Sequence, residues 1–144
     1  MAITQALPNS FKKQLLDGDQ DFSSTGGDKF KLALYVSTAT LGAATTSYTT
    51  AGQVSSSGTG YTAGGLALVN SGTSLVSTTA FTDFADLSFQ NVTLTARGAL
   101  IYNTSFSNAA VAVLNFGADK TATSGTFTIQ FPAFTNTSAI IRIA

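Results

Sequence analysis

The sequence predicts an all-β fold, an antiparallel β-sandwich or jelly roll with one short N-terminal helix. Three observations carry that prediction. Apolar spacing switches from four residues to two near residue 28, seven or eight short strand-like segments are divided by Gly- and Ser-rich breaks, and Thr is the commonest polar residue. Its β-branch stiffens χ1 and suits a pleated surface, and short strands at regular spacing are the pattern of a sandwich.

The helix comes first, over about residues 8–17 in LPNSFKKQLLDG. Leu7, Phe11 and Leu15 recur at four-residue spacing and make one apolar stripe, with Lys12 and Lys13 on the other face. Asn9 or Ser10 is placed to cap its start, and Gly18 to take the left-handed position that ends it. So short a helix must be held by packing rather than by propensity.

The first strand follows in DKFKLALYVS. Phe30, Leu32, Leu34 and Val36 share one face, expected to be buried, while Lys29, Lys31, Ala33 and Tyr35 share the other. Further strands are expected around residues 65–70, 73–77, 84–95, 99–103, 110–116, 126–131 and 139–143. SSSGTG, NSG, Arg97–Gly98 and TSG separate them.

A chain of 144 residues fits a single domain, 1–144, able to bury about two-thirds of its unfolded surface without disulfide staples. It has no Cys, so neither a disulfide framework nor a thiolate metal site can form. Seven cationic and seven acidic residues give a formal net charge of zero. No nucleic-acid partner is expected, because phosphate neutralisation needs a clustered basic patch. No apolar run approaches the roughly 20 residues that cross a bilayer, so no membrane partner is expected either. The start, MAITQALPNSFKK, lacks the basic-then-apolar order of an export signal, which predicts no Sec export.

His, Cys and Glu are all missing. Acid–base chemistry near neutral pH most often uses His, and a Ser or Thr nucleophile wants such a base. The expectation is a protein that is not an enzyme, with no catalytic residues and no cofactor.

Two motifs resemble metal or modification sites. In DGDQDF, Asp17, Asp19, Asp21 and Asp28 fall at positions 1, 3, 5 and 12 of an EF-hand register. Phe22 occupies the position that requires Gly, Asp28 stands where a chelating Glu belongs, and a strand follows instead of a second helix. The loop therefore reads as solvated and acidic, and no metal is expected. Asn91, Asn103 and Asn136 head glycosylation triplets, which arise by chance in a chain this rich in Ser and Thr. Arg97 is either exposed at a turn or buried and paired with Asp83 or Asp86.

Charge is unevenly distributed. Eight of the fourteen charges precede Leu32, and none lies between Leu32 and Thr82. Charges are depleted at interface cores because desolvating them is costly. The span suits either a contact surface or a neutral, loop-rich part of a sandwich. Tyr is enriched at interfaces, which makes Tyr48 and Tyr61 the candidate partner contacts, whereas Tyr35 and Tyr102 lie in predicted strands.

SFKKQLLDG, DKFKLALYVSTATL, GTGYTAGG, NVTLTARGALIYN, AVAVLNFGADKTATSGTFTIQFP and AIIRIA, in that order, resemble a family of small virion proteins of tailed bacteriophages. The likeness covers nearly the whole chain. It implies a head decoration or cement protein that contacts the major capsid protein and copies of itself, a homo-oligomer on the particle. Such a protein is made in the host bacterial cytoplasm and ends in the virion capsid. The alternatives are a neck or tail component and a carbohydrate-binding fibre or spike domain. The resemblance transfers no catalytic residue.

Overall fold

Strand accounts for 47% of the chain and helix for 6% in the computed structural model, which describes residues 2–144. Helix α1 (Asn9–Asp17) is followed by β1 (Phe30–Tyr35), β2 (Leu66–Ala67), β3 (Asn70–Val76), β4 (Thr79–Phe84), β5 (Leu87–Asn103), β6 (Ala109–Ile129) and β7 (Ile141–Ile143). They form two antiparallel sheets, ordered β2-β1-β5-β6 and β3-β4-β7. The fold is thus all-β and sandwich-like. Its strand order differs from the two Greek keys of a jelly roll.

The main core fills the space between the sheets, and phenylalanine dominates it. Phe22 stacks on Phe30 at 4.7 Å, Phe84 meets Phe30 edge-on at 5.6 Å, and Phe11 of α1 reaches Phe22 at 6.0 Å. Such offset and edge-on pairs satisfy the ring quadrupoles. Leu7 and Leu15 flank Phe11 against the same core, so the four-residue stripe docks the helix as its spacing predicts. The start of the helix differs from expectation. Pro8 precedes it, neither Asn9 nor Ser10 caps it with a side chain, and the Asn9 N–H donates to the Ala43 carbonyl at 2.8 Å. At the other end Gly18 adopts φ 81°, and the Asp19 N–H closes back on the Gln14 carbonyl.

Strand β1 is buried on both faces. Phe30, Leu32 and Leu34 enter the main core, while Ala33 and Tyr35, expected to face outward, join Leu100, Tyr102, Ala110 and Val113 in a second cluster. Ile3, Ala39, Leu41 and Tyr48 cover that cluster from segments without strands of their own, while Val54 and Tyr61 further along turn into the main core. A strand covered on both sides reads as a near-continuous apolar run, as LALYV does.

The predicted breaks at Arg97–Gly98 and at TSG are bulges within one long ribbon. Ala96 pairs with Lys120 and Gly98 with Asn115, so residues 116–119 of β6 loop out of the ladder. Smaller register shifts near Asn91 and Ser124, both at positive φ, bend its open end. Strand β4 falls where no strand was expected before residue 84. Its turn from β3 uses Ser77 at φ 55° in place of glycine, so the usual punctuation is missing.

Candidate functional site

Tyr35, Tyr48 and Tyr102 gather on the outer face of the four-stranded sheet, while Tyr61, from the main core, reaches the same network at the edge of β1. The Tyr61 hydroxyl donates to Gln53 Oε1 at 2.9 Å and accepts the Leu34 N–H at 3.0 Å. The Gly64 N–H donates to the same Oε1 at 2.7 Å, and Gln53 Nε2 donates to the Tyr48 hydroxyl at 3.0 Å. Tyr102 donates to the Gly64 carbonyl and Tyr35 to the Thr49 carbonyl, each at 2.6 Å. The Tyr48 ring stacks on Tyr102 at 4.7 Å. Burial pushes the hydroxyls of Tyr35 and Tyr61 above the ordinary tyrosine range and that of Tyr102 up to about 12.

The cluster corrects the contact assignment of one of the two tyrosines, Tyr61. Tyr61 is 2% exposed and belongs to the main core, so it is no surface anchor. Tyr48 is half-buried against the second cluster, its hydroxyl already engaged. Together they fasten residues 48–64 to the sheet. Parts of the charge-free span thus pack on their own chain, at Ala39, Leu41, Val54, Tyr61, Gly64 and Gly65, while other parts, Leu75 and Val76 among them, face solvent. Loop and strand meet at Gly65, where a Cβ would fall 1.8 Å from the Leu32 carbonyl oxygen.

The acidic loop is likewise engaged with its own chain. Asp21 Oδ1 accepts from the Ser23 N–H and hydroxyl, which hold its carboxyl below the usual range. Asp28 Oδ2 accepts from the Asp21 N–H at 3.0 Å and from Asn103 Nδ2 at 2.8 Å, while Asp17 pairs with Lys13. Among the described residues no group of three or more acidic side chains is placed to hold a metal. Asn103, noticed in the sequence only as a glycosylation triplet, is fully buried and links Gln20 and Asp28 to the β5–β6 turn. Arg97 is neither at a turn nor paired with Asp83 or Asp86. It lies within β5 and bonds Asp119 at 2.8 Å. Asp83 is 1% exposed, and burial pushes its carboxyl upward against the opposing effect of the Phe84 N–H.

Two grooves among the described residues are open to solvent. The larger, about 690 Å³, lies between β6 and the C-terminal segment, and its titratable side chains are Lys120 and Arg142. It offers hydroxyls, amides and two cations, a set without an acid to pair with a nucleophile. The smaller, about 280 Å³, is apolar, with Leu15, Phe22, Ala80, Ile141 and Ile143 in its lining. It opens onto an uncovered end of the three-stranded sheet. There Leu75 pairs with Ala80 and Ala80 with Ile143, one row across three strands. Leu75 is 68% exposed and Ile143 56%. Sequence reasoning passed over this row because alternation marks a face as apolar without showing where the covering layer stops.

No family model matches the chain, and no curated protein or solved structure matches it.

Proposed function

We propose that this chain is a structural protein of a tailed-phage virion, a decoration or cement protein that stabilises the head through contacts with the major capsid protein and with copies of itself. The observation that carries the reading is where the polar and apolar groups lie. The tyrosine hydroxyls bond within the chain, and large apolar side chains face water at one sheet end. A ligand pocket keeps a few polar groups convergent and free, whereas exposed apolar patches mark protein contacts. The resemblance of the ordered segments to small phage virion proteins supports the particle. Repetition over a symmetric shell lets a modest contact per copy add up.

The second reading from the sequence, a carbohydrate-binding fibre or spike domain, wants exposed aromatic platforms. Its best candidates, the tyrosines, are held within the cluster, and Phe134 at 41% is the large aromatic that stays exposed. A neck or tail component would differ from a cement protein mainly in copy number.

The test adds purified protein to particles lacking it and counts bound copies after sedimentation. Many copies per head, with weaker binding by Leu75→Lys and unchanged binding by Lys12→Ala, are expected. Binding only to tails, or to a glycan array and not to particles, would sink the head assignment.

A further inference from the structure

Sheet edges invite pairing with other chains unless they are short, charged, bulged or covered. Three of the four edges here carry such a device. Strand β2 has two residues, and beyond it Val54 and Tyr61 hydrogen-bond Leu34 of β1 and Gly52 accepts from Val36 just after it. Strand β6 exchanges hydrogen bonds with Ala6 at Val113, then loops out at residues 116–119 and carries Asp119 and Lys120. Strand β7 has three residues, one of them Arg142.

Strand β3 is the exception. Its first part is covered, since Asn70 Nδ2 donates to the Ser23 and Asp28 carbonyls and Gly72 packs near Ser24. From Thr73 to Val76 it runs in regular register with β4, and no strand or loop pairs with its outer side among the described residues. That stretch, TSLV, has no charge and no proline. Both its faces are apolar at the free end. Leu75 lies in the row with Ala80 and Ile143, and Val76, 45% exposed, is on the opposite face.

We infer that Thr73–Val76 pairs antiparallel with the same segment of a second copy of this chain, joining two three-stranded sheets into one of six. The occupant follows from the chemistry of the edge. An uncharged backbone ladder flanked by apolar side chains complements a partner edge of the same kind, and this chain supplies one. Antiparallel pairing about a two-fold axis satisfies both copies equally and closes at two. The chain is neutral overall, so no net charge opposes the approach. The pairing deepens the self-contact of the virion reading, and it is tested on free protein without particles, so its failure and the failure of the head assignment are told apart.

The absence of cysteine makes the test direct. Single cysteines are placed in turn at Thr73, Ser74, Leu75 and Val76, with Thr121→Cys on β6 as the control, and each variant is oxidised mildly. Expected is a disulfide-linked dimer at one or two neighbouring β3 positions, those nearest the axis, and none at Thr121. Analytical ultracentrifugation of the unmodified chain should show a reversible dimer. Leu75→Lys, which sets like charges close across the axis, should raise its Kd at least about tenfold with an unchanged circular dichroism spectrum. A chain that stays monomeric, a cross-link confined to Thr121, or an undiminished dimer in Leu75→Lys would overturn the proposal.

Discussion

Tyr61 illustrates how one hydroxyl settles several backbone demands. Beyond the short β2 the Leu34 N–H would lack a strand partner, and the Tyr61 oxygen supplies it while donating to Gln53. Tyr61→Phe leaves the buried Leu34 N–H unpaired, while Gln53 Oε1 keeps the Gly64 N–H, and we expect it to cost about 1–3 kcal/mol in urea denaturation. The same burial predicts alkaline sensitivity. An unfolded tyrosine ionises near pH 10, while the folded protein holds Tyr35, Tyr61 and Tyr102 protonated beyond that, Tyr102 to about 12. Their raised values add stability that is fully present below pH 10 and is lost as pH rises through the folded values. Thermal unfolding should therefore shift downward between pH 10 and 12, and a flat melting temperature across that window would refute it. Asp83 works in the opposite range. Its raised carboxyl favours the folded state only when protonated, so at neutral pH the buried charge is a burden. Asp83→Asn should raise the melting temperature at pH 7, with the gain gone below pH 4.

Among the elements, β1 has the most demanding surroundings. One face meets the phenylalanine core and the other the tyrosine cluster, and its edge is closed by β2 and then by a loop. Closure depends on Gly65, at φ 79°, lying almost against the Leu32 carbonyl. A side chain there both strains the backbone and drives the loop off the strand. Gly65→Ala should cost about 2–4 kcal/mol by chemical denaturation, from overpacking plus a disfavoured φ. It should also speed amide exchange at Leu34 and Val54, whose N–H groups that loop protects or presents. Equal exchange in the two proteins would refute this role. The helix and the period of β1 were legible in the sequence because each is a local pattern. The bulges of β5 and β6 were not, since Arg97–Gly98 and Ser124–Gly125 look alike as a turn or as an insertion in a ladder.

At the scale of the whole molecule, many polar side chains bond within the chain, and Leu75, Val76 and Ile143 are exposed together at one sheet end, with Leu16 on α1 and Val69 before β3 exposed as well. The acidic loop belongs to the first group, because Asp21 and Asp28 already accept protein donors. EDTA should therefore leave the melting temperature unchanged in differential scanning calorimetry, and a fall of many degrees would show that the loop holds calcium. The amino-acid sequence by itself determined the fold class, the docked N-terminal helix and the absence of any His or Cys chemistry. Composition and near-neighbour periodicity are properties a linear chain carries openly. Only the tertiary structure decided which parts of the charge-free span pack on their own chain. A neutral, hydroxyl-rich stretch has the same sequence whether it packs on its own sheet or on another protein. Which it does depends on contacts such as Tyr61 with Leu34 and Gln53 with Gly64 in one part of the span, and on the open β3 edge at Leu75 in another.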